Sequence, residues 1–448
     1  MEHNKKPSFQ ILGAGPAGLA MGFYANKKEI PIKIYESTDQ VGGNCKTITN
    51  GEFKFDTGAH RLHDQYSEVT SLIKILLNDE LSKIEAPSQI YYNGSMINFP
   101  LTIASTFKKI SPLKLSYILK EVLVNTFKKK IPLSNFKDLA YSNYGKTLSE
   151  LFLINYTEKL WGEKAENLSS NISGGRLKNH NIVSVLKDLF LKSYKKSEHL
   201  DGTFYYPTNG FGEIFNSLRD SIGVEKIIFN APIERIDHEN SYLTNLKYGN
   251  NKKDETDLVI STLPITTLVR ILNPLPPDQI LDLVNKLNFR DLRLCIFYLN
   301  IPSFSKNASM YYPDKIFPFT RIYEPKNRSI QLAPKEKTCI VVEVPCSKGD
   351  IISELENREL FKLISTSLIQ NKLINETDIL NHTIIRMSKA YPIINVDLEK
   401  NLKPVFKYLK NFKNLYLAGR NAEFKYTHTH NIFRNANRLV ERINKTYS

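Results

Sequence analysis

Three glycines near the N-terminus, Gly13, Gly15 and Gly18, have the G-x-G-x-x-G spacing that cradles a dinucleotide diphosphate. In this pattern Gly13 permits a tight turn, Gly15 lets the backbone approach a ligand, and Gly18 lets a helix pack close to a strand. Glu36 lies where such a fold places a carboxylate to accept hydrogen bonds from a ribose 2′-OH. Because an acid there disfavours a 2′-phosphate, the pattern favours FAD or NAD over NADP.

The elements that must position these residues are predicted from the sequence around them. Apolar residues at 9–12 predict a short strand, and a helix should run from about Pro16 to Lys27, with proline in its first turn. Free N–H groups and a partial positive charge at the start of that helix suit a pyrophosphate. Residues 32–35 predict a second strand. A purely structural glycine turn is the alternative interpretation, and the strand, the helix and the acid together favour a nucleotide site.

Two further segments, residues 41–44 with their double glycine and residues 55–63, resemble a known superfamily. This is the flavoprotein superfamily of amine oxidases, protoporphyrinogen oxidases and UDP-galactopyranose mutases. In it the double glycine passes close to the FAD diphosphate and ribityl chain, so the resemblance implies FAD as the cofactor. The implied cofactor contacts are Gly13, Gly15, Ala17, Gly18, Glu36, Gly42, Gly43, Asn44, Ile233, Gly419 and Arg420.

Three segments make the resemblance closest to UDP-galactopyranose mutases. Residues 156–162 resemble the mutase segment Y-T-x-K-x-W-G, residues 319–326 resemble Y-T-R-I-x-E-x-K, and residues 419–426 resemble G-R-x-x-x-[FY]-K-Y. The implied substrate contacts are Tyr156, Trp161, Arg176, Arg321 and Tyr426. His60 and His63, in a G-x-H-x-x-H segment, should lie near the flavin. With Arg321 and Tyr426 they are the candidate catalytic residues.

Arg321 matches the mutase arginine that contacts the substrate diphosphate. A guanidinium suits that role because its planar donors match two phosphate oxygens. A structural ion pair between Arg321 and Glu324 is the alternative interpretation.

The sequence departs from the mutase pattern at two places. The second of two mutase arginines, after Arg176, is replaced by His180. The mutase Asp-Met-Asp beyond Tyr426 is replaced here by His428-Thr429-His430, so contacts made by those acids are not carried over. The histidines could carry protons near neutral pH or serve as polar contacts at the start of a helix.

The fold predicted from these motifs is α/β. A Rossmann-like FAD-binding domain of the glutathione-reductase type should be assembled from residues 1–65, 201–268 and 385–448. Residues 66–200 should form a mainly helical insertion. Residues 269–384 should form a second, mixed α+β substrate domain.

Composition restricts the classes of partner. The 448 residues carry a formal net charge of +15, which suits an anionic substrate, an anionic membrane surface or nucleic acid. The lysines are dispersed and no nucleic-acid motif is present, which favours a generally basic surface. Four cysteines without metal spacing predict reduced thiols in a cytoplasmic protein and no metal site, with Cys45 as an inert thiol. The polar N-terminus predicts no signal peptide, and the sequence makes no prediction about oligomeric state.

No apolar run approaches the ~20 residues that span a bilayer. The segment 107–130 is basic and amphipathic. It could lie on a membrane, or it could be an ordinary surface helix with a solvated lysine face, and the sequence favours the second interpretation.

The resemblance implies an enzyme of one of two classes. A mutase-like enzyme in cell-surface polysaccharide synthesis would change the ring size of a nucleotide-linked sugar without net redox. Its side chains would position the sugar and neutralise the leaving diphosphate. An oxidoreductase of the protoporphyrinogen oxidase or amine oxidase type would oxidise its substrate. A flavin-binding protein without catalysis is disfavoured, because the substrate arginines are retained.

Overall fold

A five-stranded parallel sheet, called here the nucleotide sheet, forms the core of the region that the sequence predicts to bind a dinucleotide. The computed structural model describes residues 7–99, 109–127, 133–172 and 203–447. Strand Phe9–Leu12 is buried at every residue, as expected for a parallel strand covered on both faces. Helices Pro16–Asn26 and Thr429–Tyr447 pack against each other beside it. The strand order is Leu415–Leu417, Leu258–Ser261, Phe9–Leu12, Ile32–Tyr35 and Ile227–Ile228.

A seven-stranded mixed sheet, called here the large sheet, forms the second layer system. Neighbouring strands are antiparallel except for the one parallel pair of Ser309–Tyr311 with Ser88–Tyr92. Alternate residues of strand Phe289–Leu299 enter two apolar clusters, one with helix Asn357–Gln370 and one with the hairpin at 47–56. The strand order is Ile379–Pro392, Phe289–Leu299, Thr338–Cys346, Arg321–Tyr323, Ser309–Tyr311, Ser88–Tyr92 and Ser95–Phe99.

Smaller sheets and short helices complete the described parts of the chain. The four-stranded sheet has the order Lys252–Glu255, Tyr242–Tyr248, Ile233–Glu239 and Leu272–Asn273, and two-stranded sheets pair Thr47–Asn50 with Phe53–Asp56 and Leu81–Glu85 with Thr203–Pro207. The other α-helices are Ser67–Leu76, Pro112–Phe127, Phe136–Tyr144, Lys146–Ser149, Asn155–Trp161, Glu213–Ile222, Ile265–Arg270, Asp278–Asn285, Ile351–Glu354 and Leu398–Leu409, with a π-helical turn at Glu150–Ile154.

The predicted fold class is confirmed: a parallel nucleotide sheet is joined to a second domain with a mixed sheet. The nucleotide sheet takes strands from each of the three segments predicted for the FAD-binding domain. Strands Phe9–Leu12 and Ile32–Tyr35 come from the first segment, Ile227–Ile228 and Leu258–Ser261 from the second, and Leu415–Leu417 from the third.

The prediction of a mainly helical region at 66–200 needs correction. Besides helices, this region contributes strands Leu81–Glu85, Ser88–Tyr92 and Ser95–Phe99, and the last two belong to the large sheet. Their hairpin turns at Asn93 and Gly94, with φ of 45° and 75°. Asn-Gly favours such a turn because both residues accept positive φ, and this sequence signal was overlooked.

The predicted boundary at residue 385 is also misplaced. Strand Ile379–Pro392 pairs with Phe289–Leu299 from end to end, so it stays in the large sheet past that point.

Candidate functional site

The glycine turn contains two glycines that the protein's own packing requires. Gly13 has φ of 100°, a backbone conformation that favours glycine. A Cβ on Gly18 would lie 1.8 Å from the carbonyl oxygen of Gly13, so any side chain would push the helix off the strand. Both residues therefore have the structural roles that the sequence predicts.

Gly15 differs from them, because nothing in the fold requires it to be glycine. Its φ is −74°, and a Cβ there would meet only the Cα of Gly43, at an ordinary contact distance of 3.8 Å. The space beside Gly15 is at the N-terminus of helix Pro16–Asn26, where free N–H groups favour a phosphate. The space beside Gly15 therefore fits the predicted diphosphate, and that contact stays a prediction.

Glu36 is buried and its carboxylate is already oriented beside the turn. It accepts hydrogen bonds from the backbone N–H of Ala14 at 2.9 Å and from the N–H and hydroxyl of Thr38 at 3.0 and 2.9 Å. The carbonyl oxygen of Glu36 accepts from the N–H of Ala231, two residues before Ile233. The predicted ribose and adenine contacts are thus brought to one end of the nucleotide sheet.

The double glycine and the C-terminal strand complete this cradle. The N–H of Gly42 donates to the carbonyl of Ala14 at 2.9 Å, which holds the double glycine against the turn. A Cβ on Gly43 would lie 3.1 Å from the Cα of Gly15. On the other side, a Cβ on Gly419 would lie 2.6 Å from the Cβ of Ala17. The chemistry and spacing of these residues fit an FAD diphosphate.

His60 is in contact with the same cradle. Its Nε2 donates to the carbonyl of Asn44 at 3.0 Å, and its Nδ1 lies 3.8 Å from the sulfur of Cys45. Burial lowers the pKa of His60 to about 3, and the guanidiniums of Arg420, Arg328 and Arg321 add to this effect. His60 is therefore neutral near pH 7 and positions the loop at 44–45. Its catalytic role stays a prediction.

The depressed pKa of His60 predicts loss of stability in acid. An unfolded histidine titrates near 6.5, so between pH 6.5 and 3 the unfolded chain binds a proton that the folded protein does not. The free energy of unfolding should therefore fall as pH is lowered through this window. In His60→Gln, whose amide can still donate to Asn44, this slope should be shallower. Urea titrations of both proteins at pH 7, 5 and 4 measure the difference, and identical slopes would contradict the assignment.

Cys45 supports the prediction of an inert thiol. Burial raises its pKa to about 12, and Arg420 opposes this only in part, so the sulfur stays protonated. A protonated thiol is a poor nucleophile.

Arg328 is a positioning residue that the sequence reasoning missed. It is buried, donates to the carbonyls of His60 at 2.7 Å and Ala308 at 3.1 Å, and lies 4.5 Å from the ring centroid of Tyr323. Tyr323 in turn donates to the carbonyl of Asp56 at 2.6 Å. These bonds fix the segment that carries His60 against the large sheet. No sequence motif marks Arg328, because its partners are backbone groups distant in the chain.

Arg321 makes a bidentate ion pair with Glu343. Its Nε and Nη2 donate to the two carboxylate oxygens at 2.9 and 2.7 Å, and the two residues are opposite each other on antiparallel strands. The alternative pair with Glu324 is wrong, since that carboxylate accepts instead from the N–H groups of Phe304 and Ser305. The planar fork of Arg321 is therefore occupied, and a phosphate would meet only its remaining amino group.

Aromatic side chains surround the two site arginines. The ring of Tyr156 is 5.7 Å from that of Tyr311, and Arg321 is among the charges that act on Tyr156. The Arg420 guanidinium lies 4.9 Å from the ring centroid of Tyr426, within cation–π range, and donates to the carbonyl of Thr427 at 2.8 Å.

Tyr391 was not singled out from the sequence, yet it joins these groups. Its ring lies 5.7 Å from Trp161 and 6.0 Å from Tyr426. Burial raises its pKa above the ordinary range for tyrosine, while Arg321 and Arg420 both oppose the shift. The structure thus brings Trp161, Arg321, Arg420 and Tyr426 into one neighbourhood around Tyr391.

Three histidines form a group at the start of helix Thr429–Tyr447. The ring centroids of His428 and His430 are 5.5 Å apart, and His63 lies 6.5 and 6.4 Å from them. His428 is also 5.3 Å from Tyr426, so the histidine group adjoins the aromatic site. Arg176, the remaining predicted substrate contact, and His180, which replaces a mutase arginine, lie outside the described residues.

Lys159 is a second positioning residue, within the segment that resembles Y-T-x-K-x-W-G. Its ammonium donates to the carbonyls of Tyr312 and Asp314, each at 2.7 Å. Burial lowers its pKa to about 7. These bonds tie helix Asn155–Trp161 to the loop after Ser309–Tyr311 and so fix the helix that carries Tyr156.

A family profile described as flavin containing amine oxidoreductase matches residues 16–438, nearly the whole chain. The chain belongs to this family. Its cofactor is FAD, and the cofactor contacts at Gly15, Glu36, Gly42 and Gly43 stay a prediction that their geometry fits.

Curated relatives of this flavoprotein match it over shorter stretches. A 1-hydroxycarotenoid 3,4-desaturase from Flavobacterium sp. (strain P99-3) is 23% identical over 288 residues, 58% of this chain and 57% of the desaturase. A ferredoxin–NADP reductase from Pediococcus pentosaceus is 31% identical over 90 residues, 18% of this chain and 27% of the reductase. The chain thus spans little more than half of the first relative and about a quarter of the second.

Solved structures match the flavoprotein from end to end. Reduced UDP-galactopyranose mutase has a TM-score of 0.86 at 18% identity, covering 98% of this chain and 94% of the mutase. A candidate protoporphyrinogen oxidase from Exiguobacterium sp. 255-15 has a TM-score of 0.78 at 16% identity, covering 98% of each chain. Putrescine oxidase has a TM-score of 0.66 at 15% identity, covering 98% and 99%. At these identities the likeness shows the fold alone.

Proposed function

We propose that this flavoprotein acts on a nucleotide-linked sugar in cell-surface polysaccharide synthesis, in the manner of a UDP-galactopyranose mutase. The observation that carries the proposal is the meeting of Arg321 and Arg420 with Tyr426 and Trp161 around Tyr391. The guanidinium of Arg420 donates to backbone carbonyls and so keeps its charge for a diphosphate. Arg321 is paired with Glu343 and offers its remaining amino group to a diphosphate oxygen. An uncharged amine or hydrocarbon would bring no counter-charge to Arg420.

Bound FAD would supply a reduced flavin to the anomeric carbon of the sugar. The side chains of the protein would bind and orient the substrate. Arg420, held by the carbonyl of Thr427, would place a cation at the leaving diphosphate. Tyr156 and Tyr426 would donate hydrogen bonds from their hydroxyl groups to the diphosphate. Trp161 would form an apolar side of the substrate site.

A net oxidoreductase is the second candidate. It is favoured by His428 and His430, which stand where the mutase pattern has acids, and by His63, whose ring lies beside theirs. The ring nitrogens of this group, next to Tyr426, could accept the protons that substrate oxidation releases.

Anaerobic turnover separates the two functions. Dithionite-reduced protein incubated with UDP-galactose and related UDP-sugars should convert many substrate molecules per flavin, and the flavin should stay reduced. The physical reason is that a change of ring size leaves the electron count of the sugar unchanged. Product ring size by chromatography and flavin absorbance measure the outcome. Gly15→Val protein treated in the same way is the matched control for chemistry caused by dithionite.

The opposite result is equally clear. Oxidised flavin that is reduced once per substrate molecule, with a product two electrons more oxidised, would replace the mutase proposal by the oxidoreductase. No conversion of any UDP-sugar by reduced protein would reject the nucleotide-sugar substrate.

A further inference from the structure

Helix Pro112–Phe127 turns its apolar side chains outward. Leu113 and Leu123 are 67% and 64% exposed, and Tyr117 is 52% exposed. On the opposite side, Ile118 is buried in a cluster with Ile90, Ile97, Ile110 and Phe152. The sequence favours an ordinary surface helix with its lysine face in water, and the structure adds that large apolar side chains of this helix are exposed as well.

The exposed residues form one continuous face. Positions 113, 117, 120 and 124 follow the i, i+4, i+7, i+11 spacing of a helical stripe, and positions 116, 119 and 123 lie beside it. Five of these seven residues are large and apolar, and only Ser116 and Lys120 are polar. The five are Leu113, Tyr117, Leu119, Leu123 and Val124, each at least 43% exposed. We call these five residues the apolar face.

Positive charge surrounds the apolar face. Lys109, Lys114 and Lys120 are all exposed. Lys109 donates to the carbonyl of Met96 at 2.8 Å and Lys114 to the hydroxyl of Tyr92 at 3.4 Å, which holds both at the side of the face. Glu121, the acid of this helix, accepts from the N–H and hydroxyl of Thr147 and so faces inward.

We propose that the apolar face docks on an anionic lipid bilayer, with helix Pro112–Phe127 lying in the plane of the headgroups. Leucines and a tyrosine among lysines are the composition of interfacial helices, whose binding combines apolar burial with attraction to anionic lipid. No described helix is long and apolar enough to cross a bilayer, so contact through this helix is peripheral.

Charge distinguishes this occupant from a second copy of the chain. A symmetric dimer through the apolar face would bring two sets of the same lysines together, and like charges in an interface oppose association. A phosphatidylglycerol surface has the complementary charge.

The docked surface adjoins the candidate substrate site. The cluster that anchors the helix packs against Tyr311, whose ring is 5.7 Å from that of Tyr156. A bilayer bound to the apolar face would therefore lie next to the cluster that supports Tyr156, a predicted substrate contact.

Vesicle flotation tests the proposal with the full-length holoprotein. Wild type should float with vesicles of equal parts phosphatidylglycerol and phosphatidylcholine, and bind vesicles of phosphatidylcholine alone roughly a hundredfold more weakly, since each nearby lysine contributes roughly fivefold. Binding should weaken in high salt. Leu113→Glu/Leu123→Glu should lose it, with flavin absorbance and melting temperature unchanged.

A matched control changes two other exposed apolar residues, which lie outside the apolar face. Ile330 and Ile351 are 80% and 82% exposed, and Ile330→Glu/Ile351→Glu alters net charge by the same amount. This control should float like wild type. Wild type that stays unbound, or equal loss in both double variants, would overturn the proposal. A third outcome would also overturn it: wild type binds no vesicles, sediments as a dimer, and only Leu113→Glu/Leu123→Glu abolishes that dimer. This result would show that the apolar face binds a second copy of the chain.

Discussion

Gly15→Val protein should purify folded and colourless, while wild type carries FAD. A Cβ at Gly15 meets no close neighbour and the backbone φ of −74° suits any residue, so the fold tolerates the substitution. The added side chain occupies the space where the diphosphate must approach the helix N-terminus. Flavin absorbance after gel filtration measures occupancy. A ligand present at a thousand times its Kd stabilises a protein by about 4 kcal/mol, so the variant should melt like wild-type apoprotein rather than holoprotein.

Gly18→Ala is the structural control for this experiment. Its Cβ would lie 1.8 Å from the carbonyl oxygen of Gly13, which no side-chain rotation relieves. We expect Gly18→Ala to be destabilised even as apoprotein, whereas Gly15→Val keeps the stability of wild-type apoprotein. Full FAD content in Gly15→Val would remove the diphosphate from this turn, and equal destabilisation of both apoproteins would show that Gly15 too is structural.

The glycine turn was predictable because its information is local. Strand Phe9–Leu12, helix Pro16–Asn26 and the acid at Glu36 follow one another within thirty residues, and each is specified by residue type. The hairpin at Asn93–Gly94 is equally local, but the apolar residues around it are also compatible with a helix. The strands of the nucleotide sheet are therefore predictable from local patterns. The hairpin instead adds two strands to the large sheet from a region that the sequence predicts to be mainly helical.

The partners within the site were not predictable in the same way. The sequence marks Arg321 but not Glu343, because their pairing depends on the register of two antiparallel strands. The same holds for Arg328, whose acceptor His60 is far away in the chain. Tyr391 lies at the end of a strand with no motif around it. Contacts set by strand register and by domain packing need three-dimensional coordinates.

Because strand register pairs Arg321 with Glu343, replacing the arginine should lower the stability of the protein as well as its affinity for substrate. The Glu343 side chain is 1% exposed and that of Arg321 is 18% exposed, so this is a buried pair. Removing one partner of such a pair leaves an uncompensated charge and loses about 3–5 kcal/mol of unfolding free energy, against ~0–1 kcal/mol for an exposed pair. Arg321→Ala should therefore be markedly destabilised in a urea titration. Arg321→Lys keeps a charge without the planar fork, so its stability should lie between that of Arg321→Ala and that of wild type.

A double variant separates this structural effect from substrate binding. In Arg321→Met/Glu343→Gln both charges are removed, and the amide oxygen can still accept from the N–H of Ala59, which Glu343 now binds at 3.1 Å. Because replacing both partners is often near neutral, stability should return to within about 1–2 kcal/mol of wild type. Affinity for UDP should stay low, since one charge-assisted hydrogen bond of about 1.5–3 kcal/mol corresponds to roughly ten- to hundredfold in Kd. Flavin fluorescence titrations with UDP measure it. Recovered stability with wild-type UDP affinity would leave Arg321 a purely structural residue, whereas recovered stability with weak binding requires the arginine at the diphosphate.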